Sequence, residues 1–344
     1  MSRNWIQSFQ VAAVYVGTVV GAGFATGREI VEFFSQYGFL GMAGICVAGS
    51  LFIMLGTKML LISKRIKARS FQDLNVFLFG RTFGGFVNVL VLVALLCITS
   101  IMLSGAGAIF EEQLEISKQV GILLTIALAV SVMVFGVKGL FSVNLLVVPM
   151  LILFSLMVAF QSLSSDLLNY SQGADSASLK WLVAAFSYAA FNLALSAAVL
   201  VPLANEMEDE QVLKRGGILG GILLTIILLG SYIALSTLPQ LHTYDIPMAE
   251  VMKTTFYSFY FIYVAVIYGE VFTSVIGNLF GLERQLIQYL RLPRMIIVIM
   301  ILFISYFISQ LGYSSLISFL YPIIGYVSLG FLFLLSYKKV PKQW

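Results

Sequence analysis

Charge is what this chain has least of. Of its 344 residues only 10% are Asp, Glu, Lys or Arg, against 60% hydrophobic residues and a mean hydropathy of +0.99. That balance lies outside soluble globular composition and defines an all-α polytopic membrane protein. Histidine is nearly absent: His242 is the only one, which excludes a histidine-built metal centre. The two cysteines, Cys46 and Cys97, fall inside apolar runs and read as small buried residues, not as a disulfide. Long β-alternation is missing, which argues against an outer-membrane barrel. No Ser/His/Asp set and no nucleotide loop occur; the glycine stretch near residue 21 lacks the following Lys and preceding strand of a phosphate-binding loop. The chain is therefore not expected to be an enzyme or to hold a cofactor. Nor does Met1-Ser2-Arg3-Asn4, with one charge before a long apolar segment, resemble a cleaved signal peptide.

What is abundant is apolar sequence in helix-length runs. A membrane helix needs about 20 mostly apolar residues. Ten runs qualify, near 5–36, 39–62, 83–109, 119–136, 141–163, 180–204, 216–238, 256–281, 294–311 and 314–337. With the N-terminus placed in the cytoplasm, sixteen of the 20 Lys and Arg residues fall on cytoplasmic segments; only Arg28, Lys118, Lys180 and Lys253 fall outside. This positive-inside bias supports ten spans with both termini cytoplasmic. The net charge of +4 then reflects topology, and nothing suggests nucleic acid. Residues 1–344 read as a single transmembrane domain. Ser70, three before Asp73, predicts a short capped surface helix over 70–80, and 244–255 is its counterpart at the other side.

The first span contains its own break. Val20-Gly21-Ala22-Gly23-Phe24-Ala25-Thr26-Gly27 is followed at once by Arg28 and Glu29. Glycine weakens a helix and lets other groups approach the backbone. Charge at membrane depth marks a pathway or a site. The same glycines also suit close helix packing. A reopened helix would offer free N–H groups, where an anionic solute group such as an amino-acid carboxylate could dock against Gly21, Ala22, Gly23, Phe24, Thr26 and Gly27. Arg28 and Glu32, four apart, suit a structural ion pair or gate.

Ten spans divide into two fives, 5–163 and 180–337, and an odd number per half forces opposite orientations. Span 6 then corresponds to span 1. It carries a second polar interruption, Phe191-Asn192-Leu193-Ala194-Leu195-Ser196, with Pro202 beyond it. Two interrupted helices at matching positions point to a solute site, with Tyr188, Asn192 and Ser196 on its span 6 side. In span 8, Glu270 is followed by Thr273, Ser274, Gly277 and Asn278, one polar stripe on an apolar helix. Glu270 could carry a proton, its neighbours could hold Na⁺, or the stripe could be a polar interhelical contact. Ser100, Ser104 and Gly107 on span 3 suit packing; Asn144, Pro149, Ser318 and Pro322 suit packing and bending.

The run Gly17-Thr-Val-Val-Gly-Ala-Gly-Phe-Ala-Thr-Gly-Arg-Glu-Ile-Val-Glu-Phe-Phe-Ser-Gln-Tyr-Gly38 resembles the first helix of the YkvI-like bacterial membrane proteins, and the similarity extends over the whole chain. That family in turn resembles the amino acid–polyamine–organocation superfamily, with the five-plus-five inverted repeat of LeuT. The resemblance implies ten helices with helices 1 and 6 interrupted, in a bacterial plasma membrane. It implies a secondary active transporter of a small solute, an amino acid or related organocation, working by alternating access with Na⁺ or H⁺ as coupling ion. It also implies a sodium site formed by Thr273 and Ser274 against backbone at Val20 and Gly23. Span 6 departs from the pattern, since it lacks the glycines many superfamily members have at the second break. Germination-receptor subunits share the fold, so a ligand-sensing membrane subunit is the alternative. The expected partners are a small solute and the lipid bilayer; protein partners are left open.

Overall fold

The computed structural model describes residues 3–135, 149–150, 153–158, 160–161, 179–239 and 241–341. The first span is in three pieces: α1 (Arg3–Val19), α2 (Ala22–Ala25) and α3 (Arg28–Phe33). Next come α4 (Phe39–Arg65), α5 (Phe71–Phe79), α6 (Arg81–Gln113) and α7 (Lys118–Phe135). They are followed by α8 (Lys180–Glu206), α9 (Glu210–Leu235), α10 (Pro247–Thr255), α11 (Tyr260–Tyr289), α12 (Arg294–Ser309) and α13 (Tyr313–Tyr337). Among the described residues, six stretches are long and apolar enough to cross a membrane: Phe39–Arg65, Arg81–Gln113, Lys180–Glu206, Glu210–Leu235, Tyr257–Ile287 and Tyr313–Tyr337. Lys118–Val134 and Arg294–Ser309 are shorter apolar helices. The expected fifth span, 141–163, falls largely outside the described residues, and Asn144 with it.

Local chemistry sets several boundaries. The expected surface helix α5 starts with a reciprocal capping box, in which Asp73 Oδ2 accepts from the Ser70 backbone N–H at 3.1 Å. Asp209 caps α9 by accepting from Gln211 N–H at 2.8 Å. The π-helical turn Phe52–Gly56 in α4 lies beside Tyr15, whose hydroxyl donates to the Phe52 carbonyl at 2.9 Å.

Two expectations need correction. Span 6 is one continuous 27-residue helix, with Pro202 inside it and no interruption at 191–196. Its polar residues turn back on their own helix: Asn192 Nδ2 donates to the Tyr188 carbonyl at 3.0 Å and Ser196 Oγ to the Leu193 carbonyl at 3.1 Å. Polar groups satisfied in this way, without glycine, leave the helical ladder intact. Cys46 is also exposed on the flank of α4 instead of buried; both cysteines are free.

Packing sorts the helices into two groups. In the first, α9 lies against α1 and α4, and α8 against α1 and α4. In the second, α6, α7, α11 and α12 pack on one another. The first group is held close by glycines on two faces of α9. A methyl group at Gly216 would lie 2.6 Å from Val11 Cβ on α1, and one at Gly221 would lie 2.7 Å from Ile53 Cα on α4. Small residues that let backbones approach are the usual means of packing helices in lipid. The first and last described residues lie at one end of the molecule. There Asn4 donates to Asp209 at 3.1 Å, and Arg65 bonds both Glu210 and the Pro341 carbonyl.

Candidate functional site

The break in the first span is where the two groups meet. The backbone leaves helical geometry after Val19, resumes over α2 and turns again at Gly27, whose φ of 83° is left-handed. This conformation suits glycine, and space is tight as well: a methyl group there would sit 3.2 Å from Leu235 and Met248 side-chain atoms. α2 packs against α11 and α6, whereas α3 packs against α8, α9 and α13. Val20 and Phe24, at 1% and 3% exposure, are thus sealed inside.

The break's donors are largely used within it. Phe24 and Ala25 N–H donate to the Gly21 carbonyl, Gly27 N–H to the Phe24 carbonyl, and Arg28 N–H to Thr26 Oγ1. Thr26 Oγ1 in turn bonds the Gly23 carbonyl at 3.0 Å and lies 2.8 Å from the Tyr313 hydroxyl. Tyr263 on α11 donates to the Ala25 carbonyl at 3.2 Å. The place beside Gly23 expected to receive an anionic group is already taken. Glu29 folds its carboxylate there, and a methyl group on Gly23 would lie 2.8 Å from Glu29 Cδ.

Glu29, next to Arg28 at the start of α3, turns away from the cover. It is 4% exposed, and its carboxylate faces the hydroxyls of Tyr321 on α13 and Tyr188 on α8. Neither Glu29 Oε2 nor the Tyr188 hydroxyl has a hydrogen-bond partner among the described residues. Aromatic rings close around them. Ring centroids lie 5.3 Å apart for Phe33 and Tyr188, 5.5 Å for Tyr188 and Phe191, and 5.2 Å for Phe191 and Tyr321. Of the expected span 6 residues, Tyr188 therefore meets the break, whereas the polar groups of Asn192 and Ser196 bond their own helix.

On α11 the polar stripe faces the break from the other side. Ser274 Oγ is the nearest atom, at 3.9 Å, to a methyl group built on Gly21. Glu270, one turn earlier, is 2% exposed, and its Oε2 has no hydrogen-bond partner among the described residues. The Thr273 hydroxyl is used on its own helix, donating to the Glu270 carbonyl at 3.1 Å. This face of α11 is buried at Tyr263, Ile267 and Glu270. From Ser274 onward it is accessible: Ser274, Asn278 and Gly281 are half-buried and Gly277 is exposed. The more exposed part of this stripe thus lies toward the Tyr289 end of α11.

The opposite end is shut by the segment leading into α10. Glu112 Oε2 accepts from Asp245 N–H at 2.9 Å and Ile246 N–H at 3.1 Å, and Asp245 accepts from Ser314. Met248 N–H donates to the Thr26 carbonyl at 2.9 Å, so this cover is bonded directly to the break. Arg28 serves the same closure, with Nη1 donating to the Tyr244 carbonyl at 3.0 Å. Its expected ion pair with Glu32 does not form, since Glu32 accepts from Ser318 Oγ at 2.8 Å. Ion pairs among the described residues are Arg65–Glu210, Lys253–Glu250 and Arg294–Glu283. Each hydrogen bond to a charged group contributes about 1.5–3 kcal/mol. Glu112→Gln should therefore loosen the cover. In a background without Cys46 and Cys97, a cysteine at Met248 should react with a membrane-impermeant thiol reagent about 10-fold faster in that variant. An unchanged rate would show that Glu112 does not hold the closure.

No family model matches the chain. The "Uncharacterized membrane protein YkvI" of Bacillus subtilis (strain 168) is 53% identical over 344 residues, covering 100% of this chain and 99% of that protein. Among solved structures, the inward-facing conformation of Mhp1 superposes with a TM-score of 0.62 at 13% identity, over 95% of this chain and 75% of that one. A manganese transporter of Eremococcus coleocola, in complex with an aromatic bis-isothiourea substituted compound, gives 0.53 at 14% identity, over 96% and 78%. The helical plan is therefore that of LeuT-fold transporters, and full-length identity above one half places the chain in the YkvI family of bacterial membrane proteins.

Proposed function

We propose that the chain is a secondary active transporter carrying a small solute, an amino acid or related organocation, across the bacterial plasma membrane. The observation that carries this reading is the interrupted, buried first span, covered at one end by the segment leading into α10, with Glu29 Oε2, the Tyr188 hydroxyl and Glu270 Oε2 near it and without a hydrogen-bond partner among the described residues. Irregular backbone at membrane depth is tolerated where it is enclosed by protein or lines a cavity. The covered end is the outer one in this reading, as positive-inside placement of Lys and Arg requires. Residues 5–163 and 180–337 form the two inverted repeats, and the α1–α4–α8–α9 group rocks against the α6–α7–α11–α12 group. Coupling to Na⁺ or H⁺ runs through α11, where Glu270 and Ser274 face the break. Thr273 and the carbonyls of Val20 and Gly23 complete the sodium ligand set in this reading.

The test is uptake of labelled amino acids by the purified protein in liposomes, with an imposed Na⁺ or H⁺ gradient and an ionophore control. Accumulation that the ionophore collapses supports the reading. Binding without flux would point instead to a ligand-sensing subunit on the same scaffold.

A further inference from the structure

Resting on the transporter reading, we infer that Glu29, Tyr188 and Tyr321 form the recognition site for a positively charged amine on the solute. The sequence pattern suggested an anion at the glycine break. The structure puts a carboxylate there instead, folded against Gly23, while the nearby N–H groups of Phe24, Ala25, Gly27 and Arg28 are already bonded. A second anion at that place would meet like charge and find few donors. A cation would meet Glu29 Oε2 and the Tyr188 hydroxyl, two buried polar atoms with no partner among the described residues.

The surroundings favour an organic ammonium over a bare metal ion. Sodium asks for a shell of several oxygens. Here the oxygens are one carboxyl group and phenol hydroxyls, set among the rings of Phe33, Tyr188, Phe191 and Tyr321. Ring faces attract ammonium groups through their quadrupole, most strongly where water is absent. Glu29 lies at the start of α3, and Tyr188 and Tyr321 lie on α8 and α13, so an ammonium bound here draws three elements together. The site is separate from the Glu270 stripe, because α2 packs on α11 whereas α3 packs on α8 and α13.

The experiment measures binding of three matched probes to the purified full chain by calorimetry: L-leucine, leucinamide and 4-methylpentanoate. Leucinamide keeps only the ammonium charge, and 4-methylpentanoate keeps only the carboxylate. The amine-bearing probes should bind and the acid should not, and Glu29→Gln should weaken leucinamide binding by about 10-fold or more. Preference for the acid, loss of none of the affinity in Glu29→Gln, or no binding of any probe would overturn the proposal. If Glu29→Gln does not survive purification, Tyr188→Phe, which keeps the ring, should weaken leucinamide binding several-fold; unchanged binding would overturn it as well. Leucine counterflow in liposomes separates this site from the reading beneath it. Flux that persists in Glu29→Gln keeps the transporter and removes the cation site, whereas Glu29-dependent binding without flux does the reverse.

Discussion

Glu270→Gln is expected to reduce gradient-driven accumulation at least about 10-fold while the protein keeps its fold and its thermal midpoint. The two halves of that result come from one observation. Glu270 is shut away from water at 2% exposure, and its Oε2 has no hydrogen-bond partner among the described residues. Burying an ion costs several kcal/mol even after the surroundings relax. A carboxylate so placed needs a proton or a bound cation to balance it. A neutral amide of nearly the same shape removes that need and with it the coupling, so stability should hold or rise. A simple polar strut between helices would behave differently, with a fall in thermal midpoint and unaltered ion dependence. Ser274→Ala should also weaken Na⁺ dependence, and more than Thr273→Ala does. The Ser274 hydroxyl faces Gly21, whereas that of Thr273 is bonded to its own helix. Uptake and melting of the three variants in Na⁺ and K⁺ buffers check the order.

The second large effect is expected at the glycines of the break, which should rank Gly27, then Gly23, then Gly21. Gly27→Ala forces a left-handed residue to carry a side chain, about 1–2 kcal/mol, and crowds Leu235 and Met248 at 3.2 Å, about 1–3 kcal/mol more. Loss of folded protein is the expected result, seen as a lower thermal midpoint. Gly23→Ala should leave the fold standing but abolish uptake, because the methyl group displaces the Glu29 carboxylate. Gly21→Ala has room, with Ser274 Oγ at 3.9 Å as its nearest neighbour, and should melt close to wild type. Equal effects at all three positions would mean that the glycines serve packing alone.

Much of this was legible in the chain because membrane helices announce themselves. Hydrophobic length placed most of the spans within a few residues of the helices found, and Ser70 with Asp73 marked α5 through local capping alone. The break at 20–27 was visible for the same reason, since glycine and charge act on their own backbone. What was not legible depends on partners far along the chain. Glu29, Tyr188 and Tyr321 are separated by well over a hundred residues, and no local spacing unites them. The Arg28–Glu32 pair failed in the same way: i,i+4 spacing permits it, yet Tyr244 and Ser318, from distant segments, take the two side chains. The predicted opening of α8 failed for a local reason, as Asn192 and Ser196 bond backward onto carbonyls of their own helix.

The four residues of α2 have a mechanical consequence. Its main contacts outside the first span are with α6 and α11, while α1 and α3 on either side lie against the opposite group. Such a segment is a fulcrum, with the 17 residues of α1 as one lever arm. At 1.5 Å per residue that arm is about 25 Å long, so a tilt of about 10° at the break sweeps its far end through roughly 4 Å. Three glycines and a turn at Thr26 would thus be enough gearing to turn a small adjustment beside Ser274 into a displacement wider than a water molecule at the far end of α1.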